Sequence, residues 1–464
     1  MPSDLDAISF GTDGWRAHRS AFTDDRVAAV ANGFMRYLAE AVPGGDTIAV
    51  GFDARVGADD IAEMMAGTFT DGGYDVWLAD RDCPTPAVAT VVDRCDLAGG
   101  VMVTASHNPP AYNGIKLIPA GGAPALPSVT DTVEANLTPP TPVVRGARGH
   151  VDSVDYVDHH IETVLERVAP DLAGQRILYD AMHGSGRGVT DEILERAGAT
   201  VDRIRSTRTP DFGGSAPEPT PANLTELVGR LADGPYDLGV ANDGDADRVA
   251  VVEPSGYVDA NHLFAVLYAD LLERDSGPAV RTVSTTFLID RIAEAHGEIV
   301  HETPVGFKWV AETMAEVDAL IGGEDSGGFT VRGHVREKDG PLAAALAADA
   351  DRSKPMTDRL AEIEERYGEV FHRSVSVPCE DDLKPTTLAN VAAIHPDRLL
   401  DETVAETNQT DGVKFLLAGG SWVLVRPSGT EPVMRVYAEA PSAERADALV
   451  GRGAELVRAA LGGR

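Results

Sequence analysis

Cysteine is scarce in this chain of 464 residues: Cys83, Cys95 and Cys379 are an odd number without C-x-x-C spacing, which leaves no basis for a disulfide framework or a zinc site. Long apolar runs are missing too. No stretch approaches the roughly 18 residues that a spanning helix needs, so no membrane partner is expected. The opening residues MPSDLDAISF have neither a basic region nor an apolar signal core, and a cytoplasmic protein is the expectation. Basic residues are few: 40 Lys and Arg stand against 74 Asp and Glu, a formal net charge of −34. So acidic a surface repels nucleic acid, which is not expected as a partner. The acids are scattered rather than bunched, as in AFTDDRVAAV, and Arg outnumbers Lys. That pattern fits a halophilic protein, in which counterions screen the self-repulsion of a hydrated acidic surface.

What is present is ordinary globular material, 43% apolar and 25% charged, in a chain too long for a single hydrophobic core. Strand-like and helix-like segments alternate through most of it, which predicts α/β layers. We divide it into α/β blocks at 1–150, 151–255 and 256–368 and a C-terminal α+β block at 369–464. The Pro-rich stretch LTPPTPVVRGARGH marks the first boundary. The first three blocks share a rhythm that suggests structural duplication, although no repeat is visible residue by residue.

Four short motifs carry chemistry. In Asn242-Asp243-Gly244-Asp245-Ala246-Asp247-Arg248, three carboxylates at alternate positions can converge on one hard cation, and Mg²⁺ takes such oxygen ligands. A calcium loop needs Gly at its sixth position and Glu at its twelfth, where this chain has Arg248 and Pro254. A solvated acidic turn is the other reading of this motif alone. Thr104-Ala105-Ser106-His107-Asn108-Pro109-Pro110 follows an apolar strand and leads on to Lys116, so a hydroxyl, an imidazole and an ammonium share one loop. No G-x-S-x-G elbow exists, and neighbours such as Ser106 and His107 rarely meet in one hydrogen bond, which weighs against a Ser-His-Asp triad. Arg426-Pro427-Ser428-Gly429-Thr430-Glu431-Pro432 suits a phosphate dianion or a capped turn. Gly322-Gly323-Glu324-Asp325-Ser326-Gly327-Gly328 pairs a carboxylate with a hydroxyl, as sugar hydroxyls require, or is simply a loop. No G-x-x-x-x-G-K-[ST] motif exists, so nucleotide phosphates are not the expected cargo.

In this order the motifs resemble those of the α-D-phosphohexomutase superfamily, the phosphoglucomutases and phosphomannomutases, over essentially the whole chain. Gly11-Thr12-Asp13-Gly14-Trp15-Arg16 is similar to the family's N-terminal G-T-x-G-x-R, TASHNPPAYNGIK to its phosphoserine loop, and DGDADR to its metal loop. GEDSGG is similar to its sugar loop, and RPSGTEP to its phosphate loop. Thr303–Lys308 and Arg336–Gly340 look like stretches of phosphoglucomutase members. The resemblance implies three similar α/β domains with mixed sheets and a C-terminal α+β domain around a central active-site cleft. It implies a mutase that moves phosphate between positions 1 and 6 of a hexose through phospho-Ser106 and a hexose 1,6-bisphosphate. Mg²⁺ would be held by Asp243, Asp245, Asp247 and a Ser106 phosphate oxygen. Lys116 and Arg248 become the candidates for proton transfer and charge stabilisation, with Arg16 and His107 in support. Glu324, Ser326 and Lys308 are the expected sugar contacts, and Arg426, Ser428, Gly429 and Thr430 the grip on the non-reacting phosphate. The expected partner is a small phosphosugar, and the chain a monomer or homodimer. One departure matters: many bifunctional members carry His where this chain has Gly328, so a proton-transfer role for that His does not carry over. With Lys308 and the REKDG segment, its absence favours glucose over mannose. A phosphomannomutase, a phosphoglucosamine mutase and a metal-dependent sugar phosphatase are the alternatives.

Overall fold

A computed structural model of the chain describes residues 4–11, 14–138, 147–429 and 431–462. Its first sheet has the strand order Trp15–His18, Tyr112–Pro119, Gly99–Val103, Thr47–Phe52, Asp75–Ala79, Val151–Val154. The inner strand Gly99–Val103 is buried at every position, because helices cover both faces of the sheet. It runs parallel to Thr47–Phe52 and antiparallel to Tyr112–Pro119, so the sheet is mixed. Helix Asp24–Ala41 shows why such segments cover a sheet: Val27, Val30, Ala31, Phe34 and Leu38 recur at helical spacing and are all buried. Asp24 and Asp25 favour its positive N-terminal end, and Pro43 follows shortly after its last residue.

The second sheet orders Gly256–Val258, Val249–Glu253, Leu238–Asn242, Arg176–Asp180 and Thr200–Ile204. The third orders Val300–Thr303, Ala279–Thr282, Ile321–Gly323 and Phe329–Val331. Both are mixed, so three α/β domains follow one another. Their apolar residues form one continuous core from Ile8 to Val370. Helix Gly340–Ser353 is wedged into it, touching helices Tyr156–Val168 and Thr190–Arg196 of the second domain and Ala260–Leu272 of the third. Its alanines, Ala343, Ala344, Ala345, Ala347, Ala348 and Ala350, are all buried, since short side chains let neighbours approach from every side.

The fourth domain is a wholly antiparallel sheet, Phe371–Pro378, Val433–Ala440, Trp422–Pro427, Val413–Leu417, Glu402–Asn408 and Arg398–Leu399, covered by helices Lys384–Ala392 and Ala443–Gly462. It has a core of its own, with Val377, Val425, Val436, Leu449 and Val457 at its centre. Each of the four motifs starts at the C-terminal end of a strand, the end at which open α/β sheets gather their ligand loops. Among the described residues no helix is long and apolar enough to cross a membrane.

Candidate active site

Ser106 leaves strand Gly99–Val103 in the left-handed region, with φ 51°, a conformation that its surroundings must hold. Thr104 is the near support: its Oγ1 accepts from Ser106 N at 2.8 Å and donates to Asp53 Oδ2 at 2.6 Å. Asp53 is paired in turn with Arg55 at 2.7 Å, both fully buried. The Arg55 guanidinium then donates to the carbonyls of Ser106 at 2.6 Å and Tyr112 at 2.9 Å, so one cation gathers the whole loop. Sequence reasoning missed this frame. Its only signal was the run Phe52-Asp53-Ala54-Arg55, an acid and a base two residues apart after an apolar stretch.

The acidic turn of the second domain meets this loop. Ser106 Oγ donates to Asp243 Oδ2 at 2.9 Å. Gly244 makes the approach possible, because a Cβ there would stand 2.7 Å from Ser106 O and 2.8 Å from Pro217 Cγ. Asp243, Asp245 and Asp247 are fully buried, and one oxygen from each lies within 4.8 Å of the others. Lys116 Nζ reaches Asp245 Oδ2 at 2.9 Å and Asp247 Oδ2 at 2.7 Å. Thr85 Oγ1 donates to Asp245 at 2.6 Å, and Lys338 Nζ lies 3.1 Å from Asp247. Helix Gly340–Ser353 presses on the turn from the far side: a Cβ on Gly340 would stand 2.4 Å from Arg248 O and 2.7 Å from Ala246 O. Neither Thr85 nor Lys338 was singled out from the sequence. Lys338 lies inside the REKDG segment, where its basic character beside two acids was the available signal.

Three buried carboxylates so close together oppose one another's charge. Burial pushes Asp243 well above the usual carboxylate range, and the charges of Asp247 and Asp245 push it further. Burial acts on Asp245 in the same direction, but the Lys116 ammonium and the Thr85 hydroxyl outweigh it and hold that group below its ordinary value. Asp245 Oδ1 and Asp247 Oδ1 are buried and have no hydrogen-bond partner. Orphaned, converging carboxylate oxygens are what a hard divalent cation binds, so the residues fit Mg²⁺.

Above this layer opens a cleft of about 730 Å³. Arg16, His107 and Arg248 line it from the first two domains, Glu324 and Ser326 from the third, and Arg426, Ser428 and Gly429 from the fourth. Lys338 lines it as well. Thr430 lies outside the described residues. Lys308 is not among the lining residues, unlike Val305, Gly306 and Phe307 just before it, and its ammonium is 6.0 Å from the Trp309 ring. His107 Nδ1 does come within 3.3 Å of Ser106 Oγ, although such neighbours rarely meet in one hydrogen bond. The left-handed turn at Ser106 brings the two side chains together. The Arg248 charge, then burial and Arg16, hold the His107 pKa well below its ordinary value. Burial works against the charge of Arg248, yet Asp243 and Asp247 keep it more firmly protonated than usual. Burial raises Glu324, with Lys338 and Arg248 opposing the rise. The loop that follows strand Trp422–Pro427 is closed by Ser428 N donating to Val433 O at 3.0 Å and by Lys384 Nζ donating to the carbonyls of Ser428 and Glu431, each at 2.6 Å.

Ser106 and the three carboxylates lie buried beneath the cleft floor, while their neighbours His107 and Arg248 and the loops of the third and fourth domains line one groove from four domains, and the sequence matches four known domains in the same order. These are the phosphoglucomutase/phosphomannomutase alpha/beta/alpha domains I, II and III, over residues 7–142, 154–256 and 259–367, and the C-terminal domain, over residues 350–456. The chain belongs to the phosphoglucomutase/phosphomannomutase family. This phosphohexomutase is 34% identical to a Methanopyrus kandleri protein named "Probable phosphoglucosamine mutase", over 97% of each chain. It is 31% identical to the "Phosphoglucomutase/phosphomannomutase" of Thermococcus kodakarensis, over 90% of this chain and 91% of that one. The crystal structure of a Thermus thermophilus protein described as a "putative phosphomannomutase" superposes with a TM-score of 0.83 and 31% identity, covering 97% of this chain and 99% of that one. The phosphohexomutase is therefore an isomerase-type phosphotransferase.

Proposed function

We propose that this phosphohexomutase interconverts hexose 1-phosphate and hexose 6-phosphate through a phosphoserine at Ser106, with glucose preferred over mannose. The observation that carries the reading is the 2.9 Å contact of Ser106 Oγ with Asp243, beside two orphaned carboxylate oxygens. Asp243, Asp245 and Asp247 would hold Mg²⁺ together with an oxygen of the Ser106 phosphate. When bound, the ion offsets charge on a transferring phosphoryl group.

The chain's own residues account for the remaining steps. Arg426, Ser428, Gly429 and Thr430 grip the phosphate that does not react, so the opposite end of the sugar faces Ser106. Glu324 and Ser326 accept from and donate to the sugar hydroxyls. The P–O bond to Ser106 breaks as one forms to the free sugar hydroxyl, whose proton passes to a nearby base. In our reading Lys116 mediates this transfer, its ammonium giving a proton to the departing Ser106 Oγ and then taking up the one from the sugar hydroxyl, and Arg248 stabilises charge on the transferring oxygens, with Arg16 and His107 beside it. The resulting hexose 1,6-bisphosphate turns around in the cleft and returns its other phosphate to Ser106. Both halves use the same groups in reverse, which is why one groove serves both ends of the sugar.

A second reading, phosphoglucosamine mutase, is favoured by the names of close relatives and by carboxylates on the cleft wall. Glu218 and Asp325 line it beside Glu324 and would suit a 2-ammonium group. For glucose speaks Lys338, whose Cδ stands 2.7 Å from where a Cβ on Gly328 would be: the aliphatic stem of this lysine takes the place a longer residue at 328 would fill. Values of kcat/KM on the 1-phosphates of glucose, mannose and glucosamine decide between them, and a highest value on mannose or glucosamine refutes the glucose preference. In the wider test, Ser106→Ala abolishes isomer exchange and removes a one-phosphoryl increment from the intact mass. Release of inorganic phosphate without exchange would identify a phosphatase instead.

A further inference from the structure

The fourth domain meets the third through the hairpin formed by strands Glu402–Asn408 and Val413–Leu417. Both flanks of its turn are fastened to the third domain. Asn408 Nδ2 donates to Glu302 Oε1 at 2.7 Å, and Lys414 Nζ donates to Glu302 Oε2 and Val283 O, each at 2.8 Å. The turn itself presses on the phosphate strand. Gly412 has φ 92°, and a Cβ there would stand 2.4 Å from Val425 O and 2.8 Å from Arg426 Cβ, so only glycine brings the turn this close.

This places Asp411 between two elements of the cleft. Its Oδ2 accepts from Arg426 Nε at 3.2 Å and from Val305 N at 3.0 Å. The next amide along the chain, Gly306 N, donates to Glu324 Oε1 at 3.1 Å. One carboxylate oxygen therefore connects the arginine at the phosphate end of the cleft, through two consecutive backbone amides, to the glutamate at the sugar end. Asp411 takes the Nε side of Arg426, and among the described residues the terminal nitrogens of the guanidinium are left for a ligand in the cleft.

We propose that Asp411 is a positioning residue for substrate binding: it sets the guanidinium of Arg426 and registers it against the 303–308 loop, so that phosphate and sugar ends are held at a fixed spacing. The inference rests on the mutase reading only in taking a hexose phosphate as the occupant. Its consequence opposes simple electrostatics, under which removing a carboxylate beside a phosphate site would tighten binding of a dianion. Positioning predicts weaker binding instead.

The test compares wild type with Asp411→Asn, an isosteric change whose amide oxygen can still accept from Val305 N, and with Asp411→Ala, which loses both bonds. Binding of glucose 6-phosphate is measured by calorimetry, alongside KM and kcat for isomer exchange. A lost charge-assisted hydrogen bond predicts that Kd and KM rise about tenfold in Asp411→Asn and further in Asp411→Ala, with kcat within about threefold of wild type. Unchanged or tighter binding in Asp411→Ala overturns the proposal, as does a fall in kcat at constant KM. A wild type that binds glucose 6-phosphate without exchanging isomers refutes the mutase reading alone, and the Kd ratios still judge Asp411. A wild type that binds no hexose phosphate overturns both.

Discussion

Asp243, Asp245 and Asp247 sit within five residues of one another, yet their neighbours set them apart: burial and like charges raise Asp243, while Lys116 and Thr85 hold Asp245 low. A cation in this turn would relieve the repulsion, and that relief is measurable without any substrate. We expect Mg²⁺ to raise the unfolding free energy by about 2.7 kcal/mol at a free concentration a hundredfold above its dissociation constant, seen in urea titrations against an EDTA control. Asp245→Asn should lose most of this response, and an equal response in both proteins would refute the metal assignment. At this scale the alternate carboxylates, Ser106 and the phosphate-type loop were legible, because each depends on residue types packed into a few positions. Lys338, Thr85 and Lys384 were not, since their partners lie 91, 160 and 44 residues away in the chain.

Among the elements, the loop from Thr104 to Ala111 has no regular structure of its own, so its shape is imposed by the strand end at Asp53 and Arg55. Arg55→Met would leave Asp53 buried without its cation and free the carbonyls of Ser106 and Tyr112. Breaking a buried pair from one side costs about 3–5 kcal/mol, and denaturant unfolding should show a loss of this size together with a lower isomer-exchange rate. A loss below about 1 kcal/mol with full activity would show that the loop holds itself. Amphipathic helices such as Tyr156–Val168 and Leu288–His296 could be read from their spacing. Helix Gly340–Ser353 could not, because a segment buried on nearly all sides has no polar face to give a period. The strand Val151–Val154 escaped for a different reason: its residues are largely exposed, and only pairing with Asp75–Ala79 makes it a strand.

On the scale of the molecule, charge governs two expected outcomes. A formal net charge of −34 makes self-repulsion a general cost of the folded state, so the unfolding temperature should rise as KCl goes from 0.1 M to 2 M. A flat or falling response would remove the salt argument. The second outcome belongs to the seam between the third and fourth domains, where Lys414 is buried against Glu302, Arg281 and the rings of Phe287 and Trp422. Burial, then the Arg281 charge, lower its pKa from 10.5 to about 8. The unfolded chain therefore binds more protons than the folded one between about pH 8 and 10.5, and this group's contribution to stability rises with pH across that window. Its slope is at most about 1.4 kcal/mol per pH unit. Lys414→Met should flatten the rise between pH 8 and 10 relative to wild type in urea titrations, and parallel profiles would refute it.

By itself the sequence determined the layered α/β order, the reactive residue types and the family, because local periodicity and short ordered motifs survive without knowledge of distant contacts. Only the tertiary structure decided that Ser106 Oγ lies 2.9 Å from Asp243, that Lys116 and Lys338 share Asp247, and that Lys308 follows the cleft wall rather than lining it. Such contacts join strand ends far apart in the chain, and glycines at 244, 340 and 412 permit their close approach. Their meaning appears only when the opposing surface is in place.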